Sequence, residues 1–399
     1  MVVPTLATIV VGTNGLLGHI DTASSADRAR VMANLSQTAG ELVHLLQDER
    51  VAAVMALGAE GDEVSQRATR YADVQQRVDE LQREFQRESD AVAEAPQSYE
   101  DLLETIDGHL SRLPDTRNQV TGGGIGIIAT TAFYQDTIAN LISLRDLSAQ
   151  VAAETTDTAL SDRMRAAVAV SQAKEFLSQR RVVGHVVLIR GAYNPYLRTA
   201  YIGAQAGFDQ ALQIFNVVAT ADDLALMDGA LHGPEARQSD IYQGNLNSLD
   251  AGSLRTLPWD AETWDEALSA HANQLWAVET ELDSLAVNQA VDLRDAVTRQ
   301  VLVQSGALLA VLLLAILLAW LVARSMVRSL RALRQGALSV AQYGLPQAVA
   351  RLRDPSLSTQ LSPDQVASQI AEPLPVRSRD EFGQVAEAFN VVHMEAVRT

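Results

Sequence analysis

Residues 45–51 read Leu45-Leu46-Gln47-Asp48-Glu49-Arg50-Val51, and residues 176–182 read Phe176-Leu177-Ser178-Gln179-Arg180-Arg181-Val182. The second stretch lines up with the first. With one residue of offset, Tyr71, Gln75 and Asp79 then line up with Tyr201, Gln205 and Asp209. Matching helix–break–helix patterns in two places are the mark of a duplicated unit. Around the first copy Leu35, Leu42, Leu46, Ala53 and Ala56 recur at three- and four-residue spacing, the stripe of a helix that buries one face. Residues 58–62 interrupt it, and the period resumes through Tyr71, Val74, Val78, Leu81 and Phe85. A unit this thin cannot bury both faces of its helices alone. The spacing therefore predicts an all-α fold of two duplicated up-and-down four-helix bundles, adjoining or interleaved.

Breaks between helices are easily placed. Pro96, Pro114, Gly233-Pro234 and Leu257-Pro258 close segments, because proline lacks the donor that an inner helical turn requires. The run Thr121-Gly122-Gly123-Gly124-Ile125-Gly126 has neither the Gly-Lys-Ser/Thr nor the preceding strand of a phosphate loop, and reads as a flexible break. A last helix begins near Asp260 and carries Trp264, Leu268, Leu275, Trp276 and Leu282 toward residue 301.

Within the first stripe two charges stand out. Glu49 falls mid-face and Arg50 at the edge, while Arg180 takes in the second copy the place that Glu49 has in the first. A charge withdrawn from water is costly unless paired. Two readings follow. Glu49 pairs with Arg180 across the copies, or Arg50 and Arg181 turn their planar forks toward a small oxyanion between helices.

Residues 306–322 read GALLAVLLLAILLAWLV, and no charge occurs over 300–323. A helix crosses about 30 Å of hydrocarbon in roughly 20 residues, so 300–323 is expected to be a transmembrane helix. Arg324, Arg328, Arg331 and Arg334 follow with no acid before Asp354, which places that side in the cytoplasm and the long preceding domain outside. Residues 1–23 are uncharged up to Asp21 but interrupted by Pro4 and several glycines; they are expected to be a first, imperfect membrane segment. The organisation expected is thus 1–23 first span, 24–299 outside domain, 300–323 second span and 324–399 cytoplasmic extension. Residues 344–378 are Pro/Ser-rich and read as a linker.

Composition excludes much else. A formal net charge of −18 argues against nucleic acid as partner, and the basic cluster sits beside the span, where it can meet lipid headgroups. There is no cysteine, which removes disulfides, thiolate metal sites and cysteine nucleophiles. Only Lys174 is a lysine among 31 basic residues, a hint of GC-rich bacterial coding sequence. The seven histidines never adopt HExxH spacing, and no GxSxG elbow occurs. No catalytic constellation, metal site or cofactor is expected.

At Leu46-Gln47-x-Glu49-Arg50, repeated at Leu177-Ser178-x-Arg180-Arg181, the chain resembles the nitrate- and nitrite-sensing (NIT) domain of bacterial receptors, in particular actinobacterial sensor histidine kinases. The resemblance implies an all-helical, homodimeric domain that binds nitrate or nitrite through arginines. Arg50 matches the motif best; Arg181 matches its second copy, although Arg180 replaces the glutamate; Arg237 is a candidate for a further arginine late in the domain. Past the span, Asp380-Glu381-Phe382-Gly383 followed by Ala388-Phe389-Asn390 resembles the second helix of a HAMP signalling relay, with Asp380, Glu381 and Gly383 as its motif. The first-helix proline usual in that family is replaced by Ser329. His393-Met394-Glu395 is not a phosphoacceptor motif, so the kinase output or response regulator implied by the family is expected elsewhere, on a longer chain or another one. The reading is a membrane receptor in a bacterial plasma membrane, not an enzyme. The alternatives are a membrane-anchored helical scaffold and a sensor of some other small anion.

Overall fold

The computed structural model describes residues 2–92, 95–153, 157–249, 252–253, 257–339, 342 and 381–398, with side chains over 22–92, 95–153, 157–249, 257–338, 342, 383–388 and 390–392. Two compact units result, Thr13–Leu302 and Met1–Gly12 with Val303–Thr399, and each is taken by itself. The helices are α1 Val2–Leu57, α2 Glu63–Ser89, α3 Gln97–Leu110, α4 Leu113–Thr121, α5 Ile127–Ala152, α6 Thr158–Arg190, α7 Pro195–Val218, α8 Ala221–His232, α9 Pro234–Asn247, α10 Ala261–Ser339 and α11 Glu381–Arg398. Two short strands, β1 Ala192–Tyr193 and β2 Gly252–Ser253, pair antiparallel.

Two longer helices, two short ones and a longer one follow each other twice, in α1–α5 and again in α6–α10. In each copy a bent pair, α3 with α4 or α8 with α9, takes the place of one helix, so each copy is a four-helix bundle as expected. Leu113-Pro114-Asp115-Thr116-Arg117 at the start of α4 lines up with Gly233-Pro234-Glu235-Ala236-Arg237 at the start of α9. Proline suits the first turn of a helix, whose N–H groups have no helical partner.

Local chemistry sets the ends. Asp157 caps α6 by accepting from the Ala159 and Leu160 N–H groups at 3.0 and 3.3 Å. Gly191, at φ 59°, stops α6 in the left-handed conformation that residues with a Cβ avoid. Asn194 then caps α7 ahead of Pro195. Thr220 and Asp223 form a reciprocal capping box at the start of α8.

Each bundle has its own apolar core. The first gathers Leu42, Leu46, Tyr71, Val78, Ile106 and Ile138. The second gathers Leu177, Phe208, Phe215, Trp264, Leu268 and Leu275, and also takes Val51, Val54 and Met55 from the end of α1. The bundles therefore adjoin, with α1 shared between them. Near the other end of the domain Ala29, Ala33, Ala149, Ala152, Ala286 and Ala290 bring α1, α5 and α10 together on small side chains, with Leu160 and Met164 of α6 packed against them.

In the second unit the stretch of α10 beyond Val303 exposes Leu309, Val311, Leu313, Leu314, Ile316 and Leu317. α10 is long and apolar enough to cross a membrane, and its most apolar window is not covered by protein. Trp320 lies under the guanidinium of Arg324, 4.9 Å from ring centroid to Cζ, at the point where the apolar run gives way to arginines. α11 begins at Glu381, and Gly383 and Ala386 are buried on one side of it. Asp380 and the linker expected at 344–378 lie outside the described residues.

The packing of α6 on α10 depends on Gly184. A Cβ built there would lie 2.2 Å from the Trp264 ring, whose Nε1 donates to the Arg181 carbonyl at 2.9 Å. Gly184→Ala is expected to lower stability by about 1–3 kcal/mol through overpacking. Thermal unfolding followed by circular dichroism checks this; an unchanged midpoint would mean that Trp264 moves freely.

Candidate functional site

The charges singled out by sequence come together on the seam where α1 runs beside α6. Arg50 is wholly buried, because its position on α1 faces α6. Its Nη1 and Nη2 donate to the two carboxylate oxygens of Glu175 at 2.7 and 3.0 Å, and Nη2 also donates to Ser178 Oγ at 2.8 Å. Gln47 and Gln179 donate to the same carboxylate at 3.0 and 2.8 Å. Arg50 Nε is buried and has no hydrogen-bond partner. Such an arrangement holds the guanidinium rigid with one donor unused.

One turn further on, Arg181 sits on the other side of the seam. Its Nη1 donates to Asp48 of α1 at 2.7 Å and its Nε to Asp265 of α10 at 2.7 Å. Asp265 also accepts from His185 at 2.9 Å and from Arg70 of α2. Burial favours the protonated form of Asp265, but Arg181 and His185 outweigh it and hold the carboxyl well below its usual value. Burial pushes His185 below its usual value, against the pull of the Asp265 carboxylate. Burial likewise opposes the charge on Asp48, yet Arg181 holds its carboxyl below the usual range.

Asp48 also faces an open cavity of about 620 Å³ between α1, α2 and α10, lined among others by His44, Arg77, Asn273, Trp276 and Thr280. His44 stacks flat on Trp276 with centroids 4.4 Å apart, and burial drives its pKa down to about 3, so it is neutral. Arg181 thus lies one side chain behind a cavity that opens to solvent.

The pair Glu49–Arg180 is not formed. Glu49 accepts from Arg117 Nε and Nη2 at 2.7 and 2.8 Å and from the Tyr134 hydroxyl at 2.6 Å, and Arg117 also reaches Asp79 at 2.6 Å. Arg180 turns instead into the second bundle, over the Phe208 ring. The reason lies in the repeat: Arg117 and Arg237 are equivalent, and in the first copy the arginine meets Glu49. In the second copy the equivalent partner is Arg180, and like charges cannot pair. Arg237 accordingly stands exposed on α9, donating to the His232 carbonyl. The structure brings Arg50 and Arg181 to one seam and leaves Arg237 off it.

Sequence reading missed the carboxylates that hold the arginines, Glu175 and Asp265, and the buried cluster beside them. In that cluster Arg145 grips both oxygens of Asp283 at 2.8 and 2.9 Å and also binds Glu279, which Lys174 approaches at 2.6 Å. Each lies on an apolar helix face at core spacing, the same signal that marks positions 49, 50 and 180 in the sequence.

The geometry defines a double helical bundle whose interior holds paired arginines near an open cavity, and its last helix, α10, goes on in sequence to an apolar stretch suited to a membrane. Residues 41–287 match the family model described as nitrate and nitrite sensing, NIT, and residues 321–396 match the HAMP domain model. The first match covers more than half of the chain, and the chain therefore belongs to the NIT family, with a HAMP domain behind it. Both are sensor and signalling domains rather than catalytic ones. A solved structure titled "Structure of the NasR transcription antiterminator" is similar, at 18% identity and TM-score 0.62, covering 97% of this chain and 98% of that one; it shares the fold. No curated protein matches the chain.

The buried cluster carries a pH signature. Burial raises the Asp283 carboxyl, Arg145 opposes this and Glu279 adds to it, with the outcome a value of about 7. For a group raised in the folded state, its contribution is fully present below the unfolded value and is lost as pH rises through the folded one. Between about pH 4 and 7 the domain should therefore lose stability from this site, by at most about 4 kcal/mol. Chemical unfolding at pH 4.5 and 7.5 tests it: Asp283→Asn should flatten the difference, and an unaltered slope would place the proton elsewhere.

Proposed function

We propose that this chain is a membrane receptor whose outside domain, residues 24–299, senses nitrate or nitrite at the seam of Arg50 and Arg181. The observation that carries the reading is the pairing of a fully buried Arg50 with one unused N–H and an Arg181 that only Asp48 separates from an open cavity. A trigonal monovalent oxyanion suits the planar fork of a guanidinium, as the carboxylate of Glu175 does now. Anion and carboxylate then compete for the same donors. When the anion wins, Glu175 or Asp48 is released from its arginine and the contacts joining α1 to α6 and α10 change. Binding shifts the equilibrium only as far as the anion prefers one helix arrangement over the other.

The relay follows from chain order. α10 carries Asp265, Glu279 and Asp283 in the sensor domain and continues to Ser339. With residues 300–323 as the span and Arg324, Arg328, Arg331 and Arg334 on the cytoplasmic side, a displacement at Asp265 passes inward along one helix to the HAMP domain, with Glu381 and Gly383 in its second helix. Residues 1–23, helical from Val2, serve as the first membrane segment, and a second copy of the chain completes the relay as a dimer. The output that the relay drives is a histidine kinase module.

Thermal unfolding of the full chain in lipid nanodiscs, with nitrate, nitrite, chloride or acetate at constant ionic strength, tests the reading. At a hundredfold excess over Kd, nitrate or nitrite should stabilise the domain by about 2.7 kcal/mol, a shift of several degrees. Arg50→Ala alone strands Glu175 in the interior, at a cost of about 3–5 kcal/mol. The decisive variant is therefore Arg50→Met with Glu175→Gln, which should fold and lose the nitrate shift at this site. A nitrate-specific shift of full size in that variant would overturn the assignment.

A further inference from the structure

Every buried arginine on the α1–α6 seam, and Arg117 and Arg145 beside it, touches a carboxylate. Arg180 does not. It keeps only 6% of its surface exposed, its Nε is buried without a hydrogen-bond partner, and no carboxylate lies within ion-pair distance of it among the described residues. Its neighbours are the Phe208 ring, 4.7 Å from Cζ, and the Tyr201 hydroxyl. That hydroxyl donates to the Gln243 carbonyl at 3.3 Å and so offers the guanidinium only its lone pair. Asp209 and Asp240 attract Arg180 from further off.

His271 of α10 packs on the same Phe208 ring, edge-on with centroids 6.3 Å apart, and feels the charge of Arg180. It is 3% exposed, and both its ring nitrogens are buried without a partner. A neutral imidazole carries one N–H, and leaving it unmade in the interior costs about 1–3 kcal/mol. A buried guanidinium with no carboxylate in contact costs more. Two orphaned donors thus converge on one aromatic ring in the core of the second bundle, where the first bundle has the satisfied set Glu49, Arg117 and Tyr134.

We infer that Arg180 and His271 form a second anion site, inside the second bundle and separate from the Arg50–Arg181 seam, that takes a small monovalent anion such as nitrate or chloride. Charge sets the valence. Arg180 supplies one positive charge, and burial lowers the His271 pKa to about 4, so the imidazole contributes a donor and no charge. A monovalent anion neutralises the site, and a divalent one would leave a buried net charge. Phe208 supplies an apolar wall that excludes bulky or strongly hydrated ligands.

The test uses the full chain in nanodiscs carrying Arg50→Met with Glu175→Gln, which removes the seam site, and calorimetric titration with sodium nitrate, sodium chloride and sodium sulfate. Saturable binding of nitrate or chloride but not sulfate is expected, and adding Arg180→Met should weaken it at least tenfold. His271→Phe, which keeps the packing of the ring, should weaken it by a smaller factor and serves where the Arg180 variant does not fold. Absence of binding in the seam-site variant, or binding that neither substitution alters, would overturn the second site. Nitrate binding by the wild type alone would leave the seam reading standing.

Discussion

Burying a guanidinium inside a helical bundle is the constraint on which the rest of this structure turns. Arginine remains charged in any folded protein, and removal from water is tolerated only where carboxylates or dipoles replace the solvent. The domain meets that requirement by drawing acids from other helices: Glu175 for Arg50, Asp48 and Asp265 for Arg181, Glu49 for Arg117, Glu279 and Asp283 for Arg145. Each pair fixes the register of two helices to within a hydrogen bond. Apolar contacts between the same helices are permissive by comparison, particularly at the alanine-lined junction of α1, α5, α6 and α10.

Such an interior is suited to sensing because its ties are exchangeable. A hydrophobic core responds to no anion, whereas a guanidinium held by a carboxylate has donors that suit other oxyanions as well. Exchange leaves the displaced acid in need of water or a new partner, so the tie opens only where the helices can supply one. Asp265 has a special place: it belongs to α10, yet three basic side chains from α2 and α6 converge on it. Arg181 is thereby tied to the helix that carries the apolar segment.

Much of this was legible in the sequence. The duplication, the helical periodicity, the proline and glycine breaks and the apolar run over 300–323 are properties of local order, and local order is what sequence displays directly. Arg50 and Arg181 were visible as charges at the edge of an apolar stripe. Their partners were not, because Glu175 is more than a hundred positions from Arg50, and which acid meets which arginine depends on how the bundles pack. The Glu49–Arg180 pairing failed for the same reason. It paired equivalent positions of the two copies, whereas Glu49 is met by Arg117 from its own bundle and Arg180 turns into the second one without an acid against it. Arg237 looked like a ligand by type and place, but its exposure follows from the charge at Arg180, which only the superposed copies reveal.

The shared arginine of the two short helices has a bearing on how the chain folds. α4 and α9 begin with the same proline pattern and carry Arg117 and Arg237 at the same position, so Glu49 would accept either of them and Arg180 would turn either away. The charges therefore do not tell the two helices apart while the chain collapses. Connectivity does: α4 is tied to α3 by residues 111–112 and to α5 by residues 122–126, so closing it into its own bundle costs less loop entropy than carrying it to the other. A tandem duplication can in this way sort its own parts.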